Sequence, residues 1–248
     1  MLNEFSRTQM LIGKEGLKKL NQSKVAVFGI GGVGSFTVEA LVRAGLGRIV
    51  LVDDDCVCVT NINRQIHATQ KTIGQPKVQV MKERIHQINP AVEVTTYQIF
   101  YPPEDDRELI GPDLDYIVDA VDTVTAKLHL VMKALSMNIP IISCMGTGNK
   151  LNPGMLEIAD IYATSVCPLA KVMRKELKKR QVPGLKVVYS KEPPVKPWAA
   201  CDSEEVSVAE KCNTMRQVPG SISFVPSTAG LLIAGEVVNN LIGSLRSD

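Results

Sequence analysis

The amino-acid sequence predicts an α/β fold built on a doubly wound, mostly parallel β-sheet. Short apolar runs alternate with segments of helical spacing along the first 150 residues, in the order that βαβ units require. The apolar runs are unbroken, as in strands that are buried on both faces of a parallel sheet. A glycine-rich turn joins the first run to the next helical segment. The later residues predict a C-terminal extension of strands, a basic helix and a closing helix.

The elements follow from these patterns in chain order. Strands are expected at residues 25–28, 49–52, 92–97, 115–122, 139–143, 155–161 and 186–190. Helices are expected at residues 8–20, 35–44, 75–88, 125–137, 167–180 and 228–242. Because right-handed crossovers connect parallel neighbours, the strands up to residue 143 should assemble into one sheet.

The first predicted strand runs directly into the glycine-rich turn. Gly29, Gly31 and Gly34 follow the G-x-G-x-x-G spacing, and Gly32 lies within it. Such a turn brings backbone close to a phosphate and lets the next helix pack tightly on the strand. The N-terminus of that helix carries unpaired N–H groups and favours an anion. The turn therefore indicates a Rossmann-like nucleotide-binding unit without specifying the nucleotide.

The second predicted strand ends at an acidic residue, Asp53. An acid about 20 residues beyond the glycines can accept hydrogen bonds from ribose hydroxyls. The glycines and Asp53 alone suit an NAD-dependent dehydrogenase as well as other nucleotide-binding proteins.

Polar residues follow the second strand at the edge where open α/β sheets bind ligands. Asn61, Arg64 and Gln65 lie in a turn-like segment, and Lys77 stands at the start of a helix. A lysine gains nothing from the helix dipole there, so an anionic ligand nearby would explain it. Ordinary surface charge is the alternative for Arg64 and Lys77.

Two further carboxylates, Asp119 and Asp122, fall at the end of the fourth predicted strand. A carboxylate on that edge can hold Mg²⁺, which prefers oxygen ligands and substrate phosphates. The alternative is a helix N-cap for the segment that starts at Thr125.

The second part of the chain carries a local excess of positive charge. Nine Lys or Arg residues between Lys171 and Lys196 stand against two acids, Glu176 and Glu192. Such a field suits a phosphate-rich macromolecule, and a solvated helix face is the alternative. The basic residues of the predicted helix are Lys171, Arg174, Lys175, Lys178, Lys179 and Arg180.

Composition limits the other function classes. The net charge of +2 is too mild to establish a nucleic-acid partner, and 4% aromatic residues argue against a platform that stacks single-stranded bases. The first residues do not resemble a signal peptide, and the most apolar late stretch, residues 229–242, is too short for a membrane span. We therefore expect a cytoplasmic protein that does not enter a membrane.

The six cysteines do not form a recognisable metal or catalytic motif. They include no C-x-x-C pair, so a structural zinc site is not expected. Cys201 and Cys212 lie in a Pro-rich, then acidic and polar segment expected to be a loop. Either could be a nucleophile, but neither has a histidine paired with it in sequence.

The combination of motifs is specific. An Arg before a helix, G-x-G-G-x-G, D-x-D, N-x-N-R-Q, a Lys at a helix start and D-x-x-D together resemble the E1-like adenylyltransferase superfamily. That superfamily includes ubiquitin-activating enzymes and the adenylyltransferases of molybdopterin and thiamine synthesis. The later segments LAKVMRKELKKR, KVVYSKEPP and GSISFVPSTAGLLIAGEVV resemble one branch, the tRNA threonylcarbamoyladenosine dehydratases.

The resemblance implies a single ATP-binding domain over residues 1–248, with a nucleotide-binding core at 1–150 and a substrate- and tRNA-facing part at 151–248. It implies ATP and Mg²⁺ as cofactors, with Asp122 as the metal ligand. Arg7, Arg64, Lys77 and Asp122 would be catalytic, with Arg7 reaching into the other subunit of a homodimer. The nucleotide contacts would come from Gly29, Gly31, Gly32, Gly34, Asp53, Asp55, Asn61, Arg64, Gln65, Lys77 and Asp122.

The implied substrate is tRNA that carries N6-threonylcarbamoyladenosine at position 37. Its threonine carboxylate would be adenylated and then attacked by a nitrogen of its own carbamoyl group. The implied tRNA contacts are the six basic residues of the helix at 167–180. A sulfur-transfer protein is a further expected partner. The chain lacks the two C-x-x-C zinc pairs of the sulfur-carrier branches, which disfavours a ubiquitin-like partner.

Three alternatives remain at this point. An adenylyltransferase that activates the C-terminus of a ubiquitin-like sulfur carrier would use the same core. A dehydrogenase would share the glycines and Asp53 but would not explain Arg64, Lys77 and Asp122 together. A sensor that holds ATP without turnover would not need the full set of charged residues.

Overall fold

The structure is a computed structural model that describes residues 3–102, 109–198 and 219–243. Cys201 and Cys212, and most of the predicted loop around them, lie outside the described residues. The helices are α1 (Ser6–Gln22), α2 (Gly34–Ala44), α3 (Lys77–Ile88), α4 (Val124–Ser136), α5 (Pro168–Lys179) and α6 (Phe224–Ile242). The strands are β1 (Lys24–Phe28), β2 (Arg48–Val52), β3 (Glu93–Tyr97), β4 (Tyr116–Asp119), β5 (Ile141–Cys144), β6 (Leu156–Asp160) and β7 (Lys186–Ser190).

The strands form one seven-stranded sheet in the order β3-β2-β1-β4-β5-β7-β6. Each neighbouring pair is parallel except β6 and β7, which are antiparallel. The chain runs outward from β1 in one direction, then returns to β4 on the other side of β1. This reversal opens a crevice outside the carboxyl ends of β1 and β4, where ligands bind in folds of this kind.

Helices cover both faces of the sheet, which confirms the doubly wound architecture. On one face, α2, α3 and α6 bury Leu41, Met81 and Ile233 against β1 and β2. On the other face, α4 contributes Leu130 and α5 contributes Met173 to the core. The unbroken apolar strands follow from this arrangement, because both of their faces meet apolar side chains.

Some predicted boundaries differ from the observed ones. Strand β4 ends at Asp119 instead of residue 122, so Asp122 stands on the loop beyond the strand. Helix α1 begins at Ser6, earlier than predicted, and Gly13 interrupts it with φ of 72°. Glycine is the residue that adopts this conformation without strain.

Helix α6 is longer than the predicted segment, because it begins at Phe224 instead of residue 228. The expectation that this stretch is too short to cross a membrane is therefore wrong, because the helix has 19 residues. Among the described residues, α6 alone has the length and apolar composition for a span, and half of that window is buried inside the protein. A Cβ on Gly230 would lie 2.4 Å from the carbonyl oxygen of Val33, so α6 packs closely against the start of α2.

Candidate active site

A cavity of about 510 Å³ lies at the carboxyl ends of the central strands. It sits at the crevice that the strand order predicts. The following residues with predicted site roles line it: Gly29, Gly31, Gly32, Asp53, Asp55, Asn61, Arg64, Gln65, Lys77 and Asp122. Residues far apart in sequence therefore meet at one place, while Gly34 and Arg7 do not line the cavity of this chain.

Each glycine of the turn is required, or left open, for a different physical reason. Gly29 has φ of +87°, and a Cβ there would lie 2.6 Å from the carbonyl oxygen of Ala120. A Cβ on Gly34 would lie 1.8 Å from the carbonyl oxygen of Gly29. Gly34 is thus buried in the packing of α2 on the turn, and its contact with a nucleotide stays a prediction. For Gly31 the nearest neighbour of an added Cβ is 4.0 Å away, so its backbone is open to a ligand.

Asp53 joins the glycine turn to the end of β2. Its Oδ2 accepts a hydrogen bond from the N–H of Ile30 at 2.6 Å, and its Oδ1 accepts one from the N–H of Asp55 at 2.9 Å. Burial raises the pKa of this carboxyl, and the nearby charge of Lys77 and the two hydrogen bonds oppose that increase. Asp53 therefore also shapes the turn, a function that its sequence position does not reveal.

Lys77 is buried at the start of α3, and its ammonium points at carboxylates. Its Nζ lies 2.6 Å from Oδ2 of Asp55 and 3.8 Å from Oδ1 of Asp53. The alternative that Lys77 is an ordinary surface charge is therefore wrong, because its side chain is 6% exposed. Since the Asp55 side chain is 61% exposed, it can release the ammonium to an anionic ligand with little rearrangement.

Arg64 is half-buried on the turn that follows β2. Its Nη1 donates hydrogen bonds to the carbonyl oxygen of Thr60 at 2.8 Å and to Oδ1 of Asn63 at 3.0 Å. Burial lowers the pKa of Arg64, and the neighbouring Cys58 acts in the opposite direction. These contacts hold the guanidinium at the wall of the cavity.

The side-chain amides of Asn61 and Gln65 differ in their hydrogen bonding. Asn61 accepts a hydrogen bond from the N–H of Cys58 at 3.0 Å and so stabilises the short 3₁₀ turn Val59–Asn61. Gln65 is buried, and its Oε1 has no hydrogen-bond partner among the described residues. A buried acceptor without a donor is costly, which is consistent with a ligand donor at this position.

Asp119 and Asp122 have opposite surroundings. Asp119 is fully buried, and Nζ of Lys127 lies 3.1 Å from each of its carboxylate oxygens. Asp119 is therefore not available to a metal or a ligand. Asp122 is exposed and lines the cavity. The N-cap alternative is wrong for both, because Thr123 occupies the N-cap of α4 and makes no side-chain capping bond.

Hard oxygen donors suitable for Mg²⁺ are present at the cavity. Asp122 offers one exposed carboxylate, and Asp53, Asp54 and Asp55 place carboxylate oxygens within 4.8 Å of one another. Such donors match the preference of Mg²⁺ for carboxylates together with substrate phosphates. The Asp53–Asp55 group was visible in sequence as consecutive acids, but pattern alone did not show that all three side chains line the cavity.

An apolar wall at one part of the cavity was not predicted as part of the site. Ile99, Phe100 and Tyr101 follow β3 and line the cavity together with Val52 and Val121. The Tyr101 hydroxyl is hydrogen-bonded to Nδ1 of His129 at 2.9 Å. The sequence signal at residues 99–101 is a short apolar run after a strand, which resembles an ordinary loop anchor.

The predicted interaction residues outside the cavity fall into different classes. Arg7 is exposed on α1. On α5, Lys171, Lys175 and Lys178 are exposed and form no ion pair with any described residue. Arg174 instead donates a hydrogen bond to the Thr164 carbonyl oxygen at 2.9 Å.

Lys179 and Arg180 also have a local partner. Each lies 2.8 Å from a carboxylate oxygen of Glu176. The hydrogen bonds from Lys179 and Arg180 lower the pKa of Glu176 to about 2. Some cations of this helix are therefore exposed without an ion-pair partner among the described residues, and others are paired with Glu176.

A family model described as ThiF family matches residues 5–247. The chain belongs to the ThiF family. It is 46% identical over 247 residues to the tRNA threonylcarbamoyladenosine dehydratase of Bacillus subtilis, covering 99% of this chain and 97% of that protein.

Solved structures agree with this family assignment. The Escherichia coli tRNA N6-threonylcarbamoyladenosine dehydratase, solved in complex with ATP and with AMP, superimposes with a TM-score of 0.84 at 32% identity. The match covers 97% of this chain and 94% of that chain. The predicted fold and the predicted family are both confirmed.

Proposed function

We propose that this protein is an ATP-dependent tRNA threonylcarbamoyladenosine dehydratase. It converts N6-threonylcarbamoyladenosine at position 37 of tRNA to the cyclic form through adenylation of the threonine carboxylate. The observation that carries the proposal is the convergence of Arg64, Lys77 and Asp122 with the open backbone of Gly31 on one cavity. The end-to-end similarity to the dehydratase of Bacillus subtilis supports the choice of substrate.

The cavity suggests how ATP is oriented. The apolar wall of Ile99, Phe100 and Tyr101 suits an adenine ring, and Asp53 suits the ribose hydroxyls. The triphosphate then lies toward Gly31, Arg64 and Lys77, where a ligand phosphate takes the place of Asp55 at the Lys77 ammonium. Asp122 would hold Mg²⁺, which supplies charge neutralisation for the pyrophosphate that leaves.

The chemistry then requires little from the side chains beyond charge and position. The threonine carboxylate is already ionised at neutral pH and needs no general base. It attacks the α-phosphate, and the bond to pyrophosphate breaks. Negative charge grows on the equatorial oxygens of that phosphate, and the fixed cations Arg64 and Lys77 stabilise it.

Ring closure follows within the substrate. A nitrogen of the carbamoyl group attacks the activated carboxyl carbon, a new C–N bond forms, and AMP leaves with the carboxyl oxygen. The nitrogen loses a proton, so the nucleoside loses the elements of one water. Because both reacting groups belong to one molecule, proximity supplies much of the rate, and no cysteine is needed.

The exposed lysines of α5 are the proposed tRNA contacts. Lys171, Lys175 and Lys178 are separated by about one helical turn each, so they form one cationic stripe. Leu169, at the start of the same helix, lines the cavity. A phosphate backbone along this stripe would therefore lead toward the reacting centre, whereas Arg174, Lys179 and Arg180 are committed to partners within the protein.

The remaining parts of the proposal rest on the family resemblance and, for the cellular location, on the sequence expectation given above. They are a single domain over residues 1–248, a homodimer in which Arg7 reaches the partner's cavity, and a cytoplasmic location without membrane insertion. Burial of half of α6 within the protein is consistent with a core helix. A sulfur-transfer protein is a further proposed partner.

The test is a reconstitution with tRNA that carries the uncyclised nucleoside. Purified protein, ATP and Mg²⁺ should convert it to a nucleoside lighter by one water, with stoichiometric AMP, when the digested tRNA is analysed by mass spectrometry. The Asp122→Ala variant is the matched control and should form little product. Formation of an acyl-adenylate on a small sulfur carrier, with no change in the tRNA, would contradict the proposal.

A further inference from the structure

The ion pair between Lys127 and Asp119 lies beneath the candidate active site. Both of its side chains are fully buried, which is true of no other ion pair among the described residues. Nζ of Lys127 also donates a hydrogen bond to the carbonyl oxygen of Cys144 at 2.7 Å. The ammonium has three protons and meets three oxygens, so its donors are fully used.

These contacts join three elements at one point. Lys127 is on α4, Asp119 is the last residue of β4, and Cys144 is the last residue of β5. Oδ1 of Asp119 also accepts a hydrogen bond from the N–H of Val121 at 3.2 Å. The pair therefore holds the backbone just where β4 and β5 leave the sheet.

The loops that leave the sheet at these two points form part of the cavity wall. Residues 120–123 follow β4 and include Asp122, and residues 144–148 line the cavity after β5. No atom of Lys127 or Asp119 lines the cavity. Their influence on a ligand must act through the backbone that they hold.

Stability alone is a weak explanation for this pair. Transfer of two charges into a protein interior is costly, and well-packed apolar residues often replace a buried pair without loss of stability. The pair instead lies at the edge of the sheet where ligands bind, and its hydrogen bonds are specific for two strand ends. Its geometry is suited to holding a site in place.

We propose that Lys127 and Asp119 are positioning residues for the adenylation step. They set the position of Asp122 and of the loop after β5 relative to the glycine turn. This inference rests on the proposed function. A displacement of about 1 Å in such a site can lower the rate about 100-fold, even when the displaced residues remain present.

The test is the double variant Asp119→Asn/Lys127→Met, which removes both charges and approximately keeps the side-chain volumes. The matched control is Glu39→Gln/Arg84→Met, which removes a less buried ion pair between α2 and α3 away from the cavity. Melting temperature reports folding, and affinity for a non-hydrolysable ATP analogue, with and without Mg²⁺, reports binding. ATP–pyrophosphate exchange with modified tRNA reports kcat and KM.

We expect the double variant to fold, to bind the ATP analogue, and to lose about tenfold or more in kcat. The control should keep kcat near the wild-type value at a comparable melting temperature. A folded double variant with kcat and KM equal to those of the control would overturn the positioning role. If the double variant does not fold, the test uses Lys127→Arg, which keeps the positive charge but changes the shape of the donor group. Its kcat should also fall about tenfold or more, and kcat and KM equal to those of the control would overturn the positioning role.

The binding measurement separates this inference from the proposed function. A wild-type protein that binds the analogue but forms no AMP would contradict the proposed function alone. In that case a weaker dependence of binding on Mg²⁺ in the double variant than in the wild type would support the positioning role. Equal dependence in both proteins would overturn it.

Discussion

The buried lysines at and beneath the cavity and the exposed lysines of α5 are the same residue type in opposite environments. Lys77 and Lys127 are buried, and each ammonium lies against carboxylates from a neighbouring strand end. Lys171, Lys175 and Lys178 are exposed to solvent on one helix. A buried cation has a defined position and can act on a single phosphate, whereas an exposed cation contributes to a field that is screened by salt.

The largest expected effect tests the buried member of this comparison. Lys77→Met should lower kcat for ATP–pyrophosphate exchange by about 10² to 10³, because it removes a fixed charge at the developing negative phosphate. Folding should be retained, since the main partner of Lys77, Asp55, is 61% exposed and can be solvated. The control is Lys82→Met on the same helix. Equal rates for the two variants would contradict the assignment.

A buried histidine next to Lys77 gives a pH-dependent test of the same region. His67 is 2% exposed, and neither ring nitrogen has a hydrogen-bond partner among the described residues. Burial, together with the charges of Lys77 and Arg84, lowers the pKa of His67 to about 4. In the unfolded chain its pKa is about 6.5.

The sign of the effect on stability follows from these values. Between pH 6.5 and pH 4 the unfolded state binds more protons than the folded state, so stability falls as the pH falls. The wild type should lose about 3 kcal/mol more than His67→Leu between pH 7 and pH 4. Urea unfolding at a series of pH values measures this difference. Parallel curves for the two proteins would show that His67 is not held neutral by its surroundings.

The smallest expected effect tests the exposed lysines of α5. Lys175→Ala should weaken tRNA binding and reduce the slope of log affinity against log salt concentration by about 1. Lys179→Ala is the matched control, because this lysine is paired with Glu176 on the same helix. Filter binding at several salt concentrations measures both. A larger loss of slope for Lys179→Ala would place the tRNA on another side of α5.

The two regions also differ in how far sequence patterns could predict them. The sequence predicts the glycine turn, the acid after β2 and the lysine at the start of α3, because each depends on a local rule of backbone or helix geometry. It also predicts the basic helix, but not which of its charges are paired within the protein. Arg174 turns to Thr164, and Lys179 and Arg180 turn to Glu176, contacts that depend on side-chain conformations within the folded chain.

The carboxylates after β4 show the limit most clearly. Asp119 and Asp122 look equivalent in sequence, and both are expected on the ligand side. Strand β4 ends at Asp119, whose side chain turns into the protein to meet Lys127, while Asp122 lies on the loop at the cavity. The shift of a strand end by three residues thus separates a structural ion pair from a candidate metal ligand.

Residue order was sufficient for the alternation of strands and helices and for the glycine turn, because these depend on periodicity and on backbone constraints that act over a few residues. It was sufficient for the family only through the resemblance of several separate motifs taken together. The assembled fold was needed to show that Asp55 neutralises Lys77, that Gly34 serves packing, and that an apolar wall after β3 completes the cavity. These features depend on contacts between segments distant in sequence, and such contacts exist only once the sheet has brought its strand ends together.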